Sequence, residues 1–138
     1  EAKLIIADEP TNGLDENALN EVLHHLQVLA NHQKGIVLIT HDIEASLKIA
    51  HKIAVFYEGE TVEIVKRQYL RHPYTKALWK ALPQNGFKPL DDVPSMVSGN
   101  NKGCVFAQQC VRATDICRMN KPELKMINES EKVRCFYA

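Results

Sequence analysis

Over the first fifty residues, short unbroken apolar runs alternate with longer stretches whose apolar positions recur at helical spacing. Lys3 to Asp8 is nearly continuous in its hydrophobicity, the pattern of a strand buried on both faces within a parallel sheet. Leu19, Val22, Leu23, Leu26, Leu29 and Ala30 then fall on one face of a helix that Asp15 can cap and Gly35 can end. Ile36 to Thr40 repeats the strand pattern. Ile43 to about Ala50, with Ala45, Leu47, Ile49 and Ala50 apolar, predicts a second helix. Strand, helix, strand, helix implies right-handed crossovers, so the fold class is α/β with a partial parallel sheet and flanking helices.

After residue 50 the pattern changes. Lys52 to Tyr57 and Glu60 to Val65 read as two antiparallel strands around the turn Glu58-Gly59. His72 and Pro73 open a short helix from Tyr74 to Leu82, which Pro83 stops. Residues 84–103, with Gly86, Pro89, Pro94, Gly99, Asn100 and Asn101, predict an extended linker. The last stretch is irregular and rich in cysteine.

The 138 residues are enough to bury one core with a small appendage, and the 17 basic and 17 acidic side chains balance. Hence no basic field draws the chain to nucleic acid. No apolar run approaches the roughly 20 residues that cross a bilayer, and no signal peptide opens the chain. His24, His25, His32 and His51 fall on or near polar positions at no metal-binding spacing.

The candidate chemistry sits at the ends of the two predicted strands. The first delivers adjacent carboxylates, Asp8 and Glu9. Such a pair suits a phosphate site, where one acid holds Mg²⁺ through water and the other orients or deprotonates the attacking water. The second strand ends in Thr40, His41 and Asp42. What is missing matters equally. None of the glycines at 13, 35, 59, 86, 99 and 103 pairs with another in a phosphate-cradling loop. The chain opens at Glu1, already at the first strand, and reads as a fragment that does not hydrolyse ATP alone. Strands without their sheet partners expose edges and apolar faces, so the fragment is expected to oligomerise.

Cys104, Cys110, Cys117 and Cys135 all lie in the last 35 residues. Clustered thiols in a reducing compartment argue for a metal or cluster before a disulfide. The gaps of five, six and seventeen residues are wide for structural zinc, and iron–sulfur ligation tolerates looser spacing. Zinc, a cluster and free thiols all stay open on spacing alone.

These residues resemble the ABC-type ATPase family. Asp8 and Glu9 look like its Walker B aspartate and catalytic glutamate, Pro10 to Asp15 like its D-loop, and His41 like its switch histidine. A narrower resemblance covers the rest. His72, Pro73, Tyr74, Thr75, Ala77, Leu78, Leu82 and Pro83 look like the "HPYT" segment of ATPase subunits from oligopeptide, dipeptide and nickel importers. Gly103, Cys104, Phe106, Cys110, Ala113, Cys117, Pro122, Leu124, Val133 and Cys135 look like that subfamily's C-terminal cysteine motif.

The resemblance implies three regions: residues 1–66 from the C-terminal part of the ATPase domain, 67–103 a helix and linker, and 104–138 the cysteine-rich C-terminal region. It implies ATP and Mg²⁺ as ligands, with Glu9 and His41 catalytic and Asp8 and Asp15 on the nucleotide side, Asp15 signalling across a dimer. It places a 4Fe-4S cluster on the four cysteines, with zinc or no metal as alternatives. The implied assembly is bacterial, peripheral on the cytoplasmic face of the membrane. It comprises a second ATPase subunit, identical or paralogous, two membrane permease subunits and an extracytoplasmic substrate-binding protein, without nucleic acid. Two alternatives are a soluble ABC-type ATPase acting on ribosomes, since "DEPTNxLD" followed by "HD" resembles those too, and an iron–sulfur or metal-sensing module.

Overall fold

The computed structural model describes residues 2–66, 69–88 and 102–138, so most of the predicted linker lies outside the described residues. The chain forms two compact units, Glu1–Ala50 and His51–Ala138.

In the first unit, β1 (Leu4–Asp8) and β2 (Gly35–Ile39) pair in parallel, with Ile6 opposite Val37 and Asp8 opposite Ile39. They are connected by α1 (Glu16–Asn31), and α2 (Ile43–Ile49) follows β2. The Asp15 carboxylate accepts from the Ala18 amide at 2.9 Å, satisfying one of the unpaired N–H groups of the first turn. Leu23 and Leu26 are the buried positions of the predicted stripe, and Ala45 is buried on α2.

One expectation needs correction. The helix does not run on to Gly35. It ends at Asn31, because Gln33 adopts a left-handed backbone (φ 61°) while Gln33 and Lys34 donate to the Ala30 and Leu29 carbonyls. That is a Schellman closure, with glutamine where glycine is the usual residue. The strands expose one apolar face, as expected of strands without their sheet partners. Leu4, Ile6, Val37 and Ile39 share one face of the parallel pair and are 56, 64, 44 and 48% exposed. The first unit covers only the face carrying Ile5, Ala7, Ile36 and Leu38.

In the second unit, β3 (Ile53–Tyr57) and β4 (Glu60–Val65) form the predicted antiparallel hairpin. The sheet continues through strands that the pattern does not predict. β5 (Lys125–Asn128) and β6 (Glu131–Val133) complete the order β3-β4-β6-β5, with Glu63 opposite Val133. The hairpin is therefore continuous with the cysteine-bearing segment, because β6 takes the free edge of β4. α3 (Pro73–Ala81) begins with proline at its first position, where the missing N–H costs no hydrogen bond. α4 (Asp115–Met119) carries Cys117. The core here is Cys104, Phe106, Ala107 and Cys117, with Tyr57, Tyr74 and Phe136 packed against it. Phe106 meets Tyr57 edge-on at 5.5 Å and Tyr74 at 5.4 Å, arrangements that aromatic quadrupoles favour.

Candidate functional sites

Parallel pairing brings the carboxyl ends of β1 and β2 side by side, and the two polar termini meet there. The Glu9 amide donates to the Ile39 carbonyl at 2.8 Å, extending the ladder by one residue. The chain then turns, with Glu9 itself left-handed (φ 46°), a conformation that costs a non-glycine residue about 1 kcal/mol or more. The turn directs the Glu9 carboxylate toward the end of β2. Its Oε1 accepts from the His41 amide at 3.1 Å and faces His41 Nδ1 at 3.0 Å, while Oε2 accepts from Thr40 Oγ1 at 3.4 Å. Thr40 also accepts from the Asp42 amide, and Asp42 caps α2 through the Ala45 amide, so the loop that carries His41 is fixed at both ends.

Each member of this pair favours the other's charged form. The hydrogen bond from His41 holds Glu9 below the usual carboxylate range, and the bond to Glu9 raises His41 above the usual imidazole value. Asp8 ends β1 directly before Glu9, and Asp15 lies beyond the turn, where its side chain caps α1. Thr40 and Asp42 were not among the predicted site residues. The signal for Asp42 was available, an aspartate three residues before Ala45 at a helix start.

A second site lies in the other unit. Cys104, Cys110, Cys117 and Cys135 line one small apolar cavity together with His72 and Tyr137. All four thiols are free. Burial pushes the Cys104 and Cys110 thiols up. Among the described residues, no group of three or more His, Cys, Asp or Glu side chains stands where it could hold a metal ion. Gly103 packs so tightly on the Cys117 and Arg118 carbonyls that a Cβ there would meet both oxygens at 2.4 Å.

His72 ties this cavity to α3. It is 1% exposed, its Nδ1 accepts from the Tyr74 amide at 3.1 Å, and its backbone N–H donates to Glu63 at 3.0 Å. Burial pushes its pKa down to about 4, leaving it a neutral helix cap. Glu63 also accepts from the Arg71 amide at 2.6 Å. Glu131 accepts from Arg71 Nη2 at 3.2 Å and from Asn128 at 2.7 Å. Burial alone would raise Glu131, but these bonds and that from the Lys66 amide hold it below the usual range. Neither buried carboxylate was predicted. Glu63 sits at an alternating strand position that reads as solvent-facing, and Glu131 lies on a strand that the pattern does not predict.

Comparison with known proteins shows the family. The family described as oligopeptide/dipeptide transporter, C-terminal region, matches residues 58–117. The chain is 37% identical to the dipeptide transport ATP-binding protein DppD of Escherichia coli, over 98% of this chain and 44% of that protein. It is 35% identical to DppD of Haemophilus influenzae, over 96% of this chain and 43% of the relative. It is 31% identical to the dipeptide transport ATP-binding protein DppF of the same organism, over 97% of this chain and 44% of the relative. The chain thus spans less than half the length of these curated relatives. Among the described residues no helix is long and apolar enough to cross a membrane. Matching in sequence from the paired strand ends through the cysteine segment, the chain belongs to the C-terminal part of the oligopeptide and dipeptide ABC importer ATP-binding family.

Proposed function

We propose that this chain supplies the Walker B half of an ATPase subunit that powers import of peptides, and that the Glu9–His41 pair is its hydrolytic switch. The supporting observation is the double contact of Glu9 Oε1 with the amide and ring of His41, two residues that otherwise share only their place at adjacent strand ends. In this role Asp8 helps to hold Mg²⁺ through water, Glu9 orients the attacking water and takes its proton, and His41 neutralises charge on the γ-phosphate. A Glu9 carboxylate held by His41 is a weak base. Turning the imidazole toward the phosphate of bound ATP frees Oε1 for water, which couples nucleotide binding to activation of the base. Asp15 signals toward the second subunit across the nucleotide.

The phosphate cradle comes from residues outside this chain, and ATP lies between two such subunits, identical or paralogous. Two permeases and an extracytoplasmic binding protein complete the importer, which the ATPase meets at the cytoplasmic face of the membrane. Peptide is preferred to nickel as the cargo because the relatives are named for dipeptides. The test is ATP turnover by the assembled transporter. Glu9→Gln and His41→Ala are each expected to reduce it by about 10²-fold or more with nucleotide binding retained, the range for loss of a general base or a charge-stabilising donor. Turnover at the wild-type rate in Glu9→Gln would sink the assignment.

A second reading concerns the cysteines. Their convergence on one cavity as free thiols supports a 4Fe-4S centre that they would hold, which would supply one-electron chemistry when bound. Anaerobic purification with iron and sulfide analysis tests it. About four of each per chain, lost in Cys104→Ser, is the expected result, and a metal-free or zinc-bound protein refutes it.

A further inference from the structure

Each carboxylate oxygen of Glu9 has its own partner. Oε1 accepts from the His41 amide and faces the His41 ring, whereas Oε2 accepts from the Thr40 hydroxyl at 3.4 Å. The direction of that last bond follows from what else Thr40 Oγ1 meets. The Asp42 amide donates to it at 3.0 Å and so occupies a lone pair, which leaves the single hydroxyl proton for Glu9.

Thr40 is built into the frame around it. The Ile39 carbonyl beside it receives the Glu9 amide at 2.8 Å. Asp42 caps α2 through the Ala45 amide at 2.9 Å, and its carbonyl accepts from Ser46 Oγ at 3.1 Å. The Thr40 hydroxyl therefore joins the end of β1 to the start of α2 at a fixed point. His41 differs, because its side chain is 79% exposed and its ring can leave Glu9 while its amide stays. Once the ring turns away, Oε1 keeps the amide and opens one lone pair. The last torsion of a glutamate is soft, so a carboxylate held at one oxygen alone would carry that lone pair off its target. A second bond at Oε2 stops the rotation.

We propose that Thr40 is a positioning residue for ATP hydrolysis, whose hydroxyl holds Glu9 Oε2 so that Oε1 stays aimed at the attacking water after the His41 ring has left. The inference rests on the reading of Glu9 as the base given above. Thr40 acts through Glu9 rather than on water or phosphate. At 3.4 Å the bond is long, as catalytic hydrogen bonds commonly are before substrate binds, and it tightens in the ATP complex, where the imidazole no longer competes for the carboxylate.

The experiment is steady-state ATP turnover by the complete transporter. Thr40→Val, close in shape but without the hydroxyl, is expected to lower kcat about 10-fold or more with the KM for ATP unchanged, the scale of one hydrogen bond to a charged group. Thr40→Ser keeps the hydroxyl and should restore kcat, a rescue that packing of the threonine methyl would not give. Thr40→Ala serves where the valine protein does not assemble. Adding Thr40→Val to Glu9→Gln should cause no further loss, because a residue that acts through the carboxylate has nothing left to position. Wild-type kcat in Thr40→Val, or a full additional loss in the double variant, overturns the positioning role and leaves Glu9 as the base. Wild-type turnover in Glu9→Gln overturns both.

Discussion

The cysteine-bearing unit should lose stability in mild acid, and His72 should be the cause. Its ring is 1% exposed and its Nδ1 accepts from the Tyr74 amide, so a second proton would have to displace the cap of α3 inside an apolar setting. Burial holds its pKa at about 4 in the folded protein, against 6.5 for an ordinary imidazole. Between those values the unfolded chain binds the proton and the folded chain does not. Stability is therefore fully present above pH 6.5 and declines as pH falls toward 4. At 1.36 kcal/mol per unit, the whole window is worth about 3 kcal/mol. Trp79, the chain's single tryptophan, lies on α3 and reports unfolding of this unit by fluorescence. Urea titrations at half-unit steps from pH 7.5 to 4 should give a falling midpoint in the wild type. His72→Asn, whose side-chain oxygen can still accept from the Tyr74 amide, should show a nearly flat profile over the same window. Glu131, held below the carboxylate range, loses its contribution only as pH falls below about 4.5, so it adds little above that. A wild-type midpoint that does not move between pH 6.5 and 5, or an imidazole signal from His72 titrating near 6.5, would refute the reasoning.

Glu63→Ala strips the acceptor from two backbone amides, Arg71 and His72, and should cost about 2–4 kcal/mol in urea unfolding, with Glu63→Gln recovering part of it. Gly103→Ala forces a Cβ onto two carbonyl oxygens of α4 and should lower the melting temperature of the second unit. Gln33→Gly relieves a left-handed residue at the end of α1 and should stabilise the first unit by about 0.5–1 kcal/mol in thermal unfolding. Histidine resonances should show His41 titrating above 6.5 and returning to that value in Glu9→Gln, because the stabilising pair is present below the raised imidazole value and lost as pH rises through it.

The strand ends were legible because local and global signals agree there. A continuous apolar run predicts a buried strand, and parallel pairing then brings Glu9 and His41 together. The cysteine cavity was not legible in this way. Its closure depends on β6 pairing with β4 across about 70 residues, and β6 is three residues long with no periodicity to read. For the same reason Glu131 went unmarked, while Glu63 passed as an ordinary polar strand position, although both are buried. The exposed face of β1 and β2 reverses the usual lesson. Leu4, Ile6, Val37 and Ile39 carry the pattern of a strand covered on both sides, and only one side is covered within the first unit. The apolar pattern therefore belongs to a longer domain than these residues build.

The "HPYT" segment and the cysteine motif stand apart in the sequence, yet His72 makes them one structure. Its backbone N–H is anchored to β4 through Glu63, its ring starts α3, and it lines the cavity that the four cysteines share. The matched family region, residues 58–117, joins the hairpin turn, α3 and three of those cysteines, and Cys135 closes the cavity from beyond it. Because His72 is neutral throughout the physiological range, it contributes shape and hydrogen bonds to this joint and no charge. A change in the volume or charge of the thiol cavity thus bears directly on the residue that sets the start of α3.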